Sequence, residues 1–210
     1  MKVFRLKALR DKRLVEACKK GNLKRVKKLV GKTDASVKGE ALEYAVKYGH
    51  LDIIKCLIEN KADVHIDNDW PLRHAVKKGR LEIVKYLISK GANIHALDDM
   101  PLRRAAASGY LEIIKYLIEN GANIHAQDDE ALKWIVGGGP LDAIEYLVDH
   151  GANVRVIKLE ELTSDKDRNI LNILLKGLST QELMPFLVSN NNNIRELAKR
   201  VLERRQKTGN

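Results

Sequence analysis

Two cysteines, two tryptophans and two phenylalanines are all that 210 residues contain of those types, and each shortage excludes something. Cys18 and Cys56 fall at helix positions that the pattern below buries, where a free thiol acts as a small hydrophobe, so neither a disulfide framework nor a cysteine metal site is expected. With aromatics scarce, Leu, Ile, Val and Ala carry the apolar fraction, which suits thin layers of helix packed on helix better than a large globular core. No apolar run approaches the roughly 18 residues that a membrane span requires. The opening MKVFRLKALRDKR alternates charge with apolar residues and offers no apolar core of a secretory signal, so the expected location is intracellular, in the cytoplasm.

Catalytic equipment is missing as well. No set of nucleophile, base and orienting group stands out, no glycine-rich phosphate loop follows a strand, and no metal-ligand spacing occurs. Gly31-Lys32-Thr33 ends like a phosphate-binding loop, but Val26 stands where that loop needs its first glycine, and a helix precedes it rather than a strand. The expectation is a protein that is not an enzyme and takes no cofactor.

What the sequence does contain is a repeat. LEIVKYLISKGANIHA, from Leu81 to Ala96, recurs with few changes at Leu51 to Ile66, Leu111 to Ala126 and Leu141 to Val156. A fixed period means that one supersecondary unit, too small to bury its own apolar face, is stacked until a continuous core exists. In the quoted helix Ile83, Val84, Leu87 and Ile88 form a stripe wide enough to be buried between neighbours. A shorter helix precedes it in each unit (Ala41 to Gly49, Pro71 to Gly79, Pro101 to Gly109, Ala131 to Gly139), with Pro71 and Pro101 in the first turn, where a missing N–H costs nothing. Gly91, Gly121 and Gly151 follow the longer helices and suit a left-handed cap, whereas Lys61 holds that position in one unit at a cost of roughly 1–2 kcal/mol.

The spacing predicts one all-α solenoid over residues 1–210. Residues 1–39 form a degenerate capping repeat, with helices over 10–20 and 23–30, and 40–157 form four regular repeats. Residues 158–193 form an enlarged divergent repeat, with helices from Asp165 to Lys176 and from Glu182 onward, the second kinked at Pro185 and placing Leu183, Met184, Leu187 and Val188 in core columns. Residues 194–210 hold an Asn-capped closing helix and a tail.

The order P-L-x-x-A-x-x-x-G-x-L-x-I-V-x-x-L-I-x-x-G-A-N-I, over about residues 10–157, resembles the ankyrin repeat. The resemblance implies paired antiparallel helices stacked into a curved solenoid, with loops along one edge and protein binding on the concave side. The period departs from the family pattern, being thirty rather than about thirty-three residues, and the loss falls between Ala96 and Pro101. Only Leu97, Asp98, Asp99 and Met100 remain there, so the family's β-hairpin fingers are expected to be truncated to tight turns. The family tetrapeptide T-P-L-H reads Trp-Pro-Leu-Arg at 70–73, Met-Pro-Leu-Arg at 100–103 and Glu-Ala-Leu-Lys at 130–133. The thirty-residue form, with GANIHA and the -LR- opening, is similar to the ankyrin proteins that giant DNA viruses of amoebae carry in many copies.

Three sets of residues are candidates for a site. His65, His95 and His125 form a ladder, but stacked helices lie roughly 8–10 Å apart while zinc ligands must reach about 2 Å of one ion, so the expectation is polar bonding in the turns. Tyr86, Tyr116 and Tyr146 form a second ladder, expected to pack between units with the hydroxyl at the surface. The exposed columns of the short helices present Tyr44, Lys47, Tyr48, Arg73, His74, Lys77, Lys78, Arg103, Arg104, Lys133 and Trp134, a basic and aromatic mixture typical of interaction surfaces. This set predicts a monomeric scaffold holding a protein partner with an acidic surface, without membrane contact. The alternative is nucleic-acid binding by the basic end, residues 2–32, where thirteen Lys and Arg face two acids.

Overall fold

The apolar stripes become helices that bury them. The computed structural model describes residues 2–162, 164 and 167–208, the side chains of residues 2–6 and Thr208 excepted, and among them no strand occurs. They divide into two compact units, 1–104 and 105–210.

The first unit comprises α1 (Lys2–Lys19), α2 (Leu23–Leu29), a 3-10 turn (Val30–Lys32), α3 (Ala35–Tyr48), α4 (Leu51–Glu59), α5 (Ile66–Lys77), α6 (Leu81–Ser89) and α7 (Ala96–Ala107), which the division crosses after Arg104. α1 packs on α2 and α3, α3 on α4 and α5, and α5 on α6. Leu14, Leu42, Ile53, Ile54, Leu57, Leu72 and Leu87 are fully buried between them. The long helices bury their stripe as expected, with Ile83, Val84 and Leu87 buried and Ile88 half-buried. α1 and α3 start earlier than the repeat pattern suggests, so the boundary read at 39/40 falls inside α3.

The second unit comprises α8 (Leu111–Glu119), α9 (Ala126–Val136), α10 (Leu141–Asp149), 3-10 turns at Val154–Val156 and Leu159–Glu161, α11 (Asp167–Lys176), α12 (Thr180–Leu183), a 3-10 stretch (Met184–Val188) and α13 (Asn192–Thr208). α10 packs on α8, α9 and α11, and α11 on α13. The start read at Asp165 lies outside the described residues. The helix expected from Glu182 stops after one turn rather than kinking, because Pro185 lacks the N–H that would continue it. Leu183 is buried, but Met184 is 55% and Val188 81% exposed, which corrects their assignment to the core. The Asn191 side chain caps α13 by accepting from the N–H of Asn193 (3.0 Å) and of Ile194 (3.3 Å), and Ile194, Leu197, Ala198 and Val201 are buried.

No fingers project between repeats among the described residues. In their place stands one left-handed turn, formed by Asp67, Asn68 and Asp69 (φ 50°, 50°, 57°), by Leu97, Asp98 and Asp99 (φ 52°, 54°, 54°), and by Gln127, Asp128 and Asp129 (φ 53°, 53°, 57°). Such backbone costs an L-residue roughly 1–2 kcal/mol, least for Asp and Asn, so something must hold it. In the first unit the buried Asp69 carboxylate accepts the Asn93 N–H of the next repeat (2.7 Å) and lies 3.0 Å from His65 Nδ1. Asp99 lies 3.0 Å from His95 Nδ1. In the second unit Asp129 accepts the Asn153 N–H (2.8 Å) and lies 3.1 Å from His125 Nδ1. An ionised carboxylate only accepts, which makes Nδ1 the protonated nitrogen of each histidine. The histidine ladder is thus a set of turn clamps that also joins successive repeats.

The glycines after α1 and α3 are ones that no other residue replaces easily. At Gly49 φ is 84°, and a Cβ would stand 2.8 Å from the Arg80 guanidinium carbon. At Gly21 φ is 70°, and His50 lies as close. Lys61 adopts the expected left-handed conformation, with φ 67°.

Candidate functional site

The exposed columns of the short helices are positioned by the same features that bury the other side. Ala45, Val46, Ala75 and Val76 are fully buried, which turns the residues beside them outward. In the first unit, the Lys19 ammonium stands 4.1 Å from the Tyr44 ring centroid, and Tyr44 stacks with Tyr48 at 6.5 Å. Tyr48 is 49% exposed and stacks in turn with His50 at 6.4 Å. Lys47, Lys77 and Lys78 are exposed, and among the described residues no carboxylate stands within ion-pair distance of any of them.

His74 sits amid these cations. It is half-buried and stacks on Trp70 with centroids 4.4 Å apart, and its Nε2 is buried without a hydrogen-bond partner. Burial first, then the charges of Lys78, Arg80, Lys77 and Lys47, pushes its pKa down to about 4. His74 is therefore neutral at physiological pH, an uncharged aromatic within a positive field. Arg104 is half-buried, with its Nε buried and unpartnered.

Two of the expected contact residues are withdrawn from the surface. Arg73 donates from Nε to the Asn68 carbonyl (2.9 Å) and from its terminal nitrogen to the Asp67 carbonyl (2.7 Å). Arg103, 8% exposed, does the same to Asp98 (3.0 Å) and Leu97 (2.9 Å). Their forks close the left-handed turn by donating to its backbone carbonyls. The -LR- opening is thus a structural device, which corrects the reading of these two arginines as displayed groups. In the second unit the same position is Lys133, which is exposed, beside Trp134 at 40% exposure.

Lys19, His50 and Arg80 were not among the expected residues. A signal for the first was present, because Lys19-Lys20-Gly21 shares the register of Lys47-Tyr48-Gly49 and Lys77-Lys78-Gly79. The tyrosine ladder departs from expectation at Tyr86, whose hydroxyl is buried without a partner rather than at the surface. Among the described residues no group of three or more His, Cys, Asp or Glu side chains is placed to hold a metal ion, and no helix is long and apolar enough to cross a membrane.

Two of the concavities among the described residues are of similar size and lie outside the expected contact residues. One of about 500 Å³ lies between α1 and α3, lined by both signs of charge from Asp11, Lys12, Arg13, Glu16, Lys19 and Glu40. The other, about 460 Å³ in the second unit, is lined by Ile157, Leu159, Leu178, Pro185 and Phe186, with Arg155 hydrogen-bonded to Glu182 at 2.5 Å.

Comparison with known proteins agrees with this architecture. The model of a family described as Ankyrin repeats (3 copies) matches residues 14–98, 72–158 and 102–198. No curated protein sequence matches the chain. Ankyrin repeats are generally protein–protein interaction modules, and the proteins that carry them are typically scaffolds without catalysis. With the matches running from residue 14 to residue 198, the chain belongs to the ankyrin-repeat family.

Proposed function

We propose that this chain is a non-catalytic, monomeric scaffold that holds a protein partner with an acidic, partly apolar surface on the exposed columns of its short helices, each unit offering its own. Tyr44, Lys47, Tyr48, His74, Lys77, Lys78 and Arg104 in the first unit and Lys133 and Trp134 in the second are the contact residues; Arg73 and Arg103 are not. The observation that carries this reading is the set of exposed cations without counter-charges, Lys47, Lys77 and Lys78, set beside the exposed ring of Tyr48. A face selected only for solubility intersperses both signs, whereas this one leaves its positive charge for a partner to neutralise. Trp134 supplies the rigid amphipathic ring that buried anchors of interfaces use. The proposed location is the cytoplasm, of a host cell if the similarity to viral ankyrin proteins reflects descent.

Nucleic-acid binding by the basic residues 2–32 has less support, because part of that charge is already spent. Lys7 pairs with Asp34 at 2.5 Å, Arg10 approaches Asp11 at 3.7 Å, and Lys20 pairs with Glu16 at 3.1 Å.

The test is affinity capture from the source cell with three baits: the native chain, the face variant Lys47→Glu/Lys77→Glu/Lys78→Glu, and the end variant Lys24→Glu/Lys27→Glu/Lys28→Glu. A protein retained by the native and end baits and lost from the face bait supports the scaffold reading. Loss from the end bait alone rejects it, and a steep fall of duplex DNA binding with salt then favours the nucleic-acid reading.

A further inference from the structure

We infer that the first unit recognises an acidic polyproline-type segment that carries a carboxylate at every third residue, read by a ladder of lysines; this rests on the scaffold reading above. Lys19, Lys47 and Lys77 each stand two residues before a left-handed glycine, Gly21 (φ 70°), Gly49 (φ 84°) and Gly79 (φ 66°). The helices that carry them are direct neighbours in the stack, α1 on α3 and α3 on α5. One ammonium is therefore presented per layer, at the rise of packed helices, about 8–10 Å. None of the three has a carboxylate at ion-pair distance among the described residues. The acid nearest in sequence on the same helix end, Glu16, is engaged by Lys20 at 3.1 Å.

The spacing selects the ligand's form. A polyproline II segment has three residues per turn and rises about 9 Å in that turn, so side chains at every third residue share one face and match the ladder. A β-strand of similar rise turns alternate residues to opposite faces and does not present such a set together. The aromatic groups beside the ladder favour the same choice. Tyr44 and Tyr48, stacked on each other and flanked by Lys19 and Lys47, offer rings of the kind on which polyproline segments dock. The ladder stops where the repeats supply Ala107 and Gly137 at the equivalent positions, which limits the recognised segment to about three turns of ligand.

The experiment uses the full chain and three synthetic peptides of equal glutamate content, compared by fluorescence anisotropy at low salt. One consists of Glu-Pro-Pro triplets, one carries glutamate at every second residue, and one is an alanine-rich helix with glutamate at every seventh. The triplet peptide is expected to bind at least about fivefold more tightly than the others. Lys19→Ala, Lys47→Ala and Lys77→Ala are each expected to weaken it about two- to fivefold, while the end variant changes it little. Equal affinity for all three peptides, tighter binding of the helical peptide, or no binding of the triplet peptide overturns the inference. Those results leave the scaffold reading to the capture experiment. Triplet binding lost in the end variant and kept in the three lysine variants overturns both.

Discussion

The two units are built from one repeat and differ most in what they display. Residues 1–104 hold 25 basic against 13 acidic residues, a net +12, while residues 105–210 hold 13 against 15, a net −2. Both bury the same stripe of the long helix, and both carry the left-handed turn with its buried aspartate. The first adds an arginine fork to each of its turns; the second has Lys133 there and loses the thirty-residue period after Val156. The comparison separates two layers of the sequence. What the units share makes the stack, and what they do not share, the charge and aromatic content of the short-helix columns, is free to make a binding surface.

The largest effect is expected where the shared layer is cut. Asp69→Ala removes the acceptor of the Asn93 N–H and the partner of His65, and is expected to cost roughly 2–3 kcal/mol in a urea titration. Asp129→Ala, which orphans the Asn153 N–H, is expected to cost a similar amount. A cost below about 0.5 kcal/mol at either site would show that the turn holds without its carboxylate.

A smaller effect tests the layer in which the units differ. Arg73→Ala frees the carbonyls of Asp67 and Asn68 and is expected to cost about 1–2 kcal/mol. In the second unit Lys133→Arg supplies the missing fork and is expected to raise stability by up to about 1 kcal/mol. An unchanged denaturation midpoint for Lys133→Arg would mean that the two units hold their turns by different means. Lys61→Gly relieves the φ of 67° but loosens the unfolded chain, so its expected gain is at most about 1 kcal/mol.

The smallest expected effect is a difference in acid sensitivity. His74 in the first unit has its pKa depressed from 6.5 to about 4, so the unfolded chain binds a proton in that window that the folded chain does not. Its contribution is complete above pH 6.5 and is lost as pH falls toward 4. Glu182 in the second unit is held down from 4.5 to about 2, first by the Ser179 hydroxyl and backbone N–H and then by Arg155, so its contribution is lost only between those values. His74→Gln should therefore flatten the decline of stability between pH 7 and 5, and Glu182→Gln should not. Equal pH profiles for the native chain and His74→Gln would contradict this assignment.

Much of this was legible because the period repeats the same information several times. The stripes, the helix-ending glycines, the loss of fingers and the left-handed Lys61 all follow from local spacing. The turn was not legible, since Asp69 reads as one more polar loop residue until the N–H of Asn93, twenty-four residues on, is brought to it. Arg73 and Arg103 were hidden at shorter range: their acceptors lie only five and six residues back, but a charged side chain early in a helix reads as displayed until the backbone is known to turn those carbonyls toward it. At Met184 and Val188 the apolar spacing suggested core columns, but Pro185 ends the helix before it can turn them inward. In the candidate surface the columns were visible, but the lack of a carboxylate at ion-pair distance from Lys47, Lys77 and Lys78 among the described residues was not, since the sequence does not show which side chains of neighbouring repeats approach them.

Hydrogen exchange with and without a captured partner tests the central claim most directly. If the short-helix face of the first unit is the binding surface, amides in α3 and α5 exchange more slowly in the complex, while those of residues 22–32 are unchanged. Protection confined to residues 22–32, with α3 and α5 unaltered, would contradict the account.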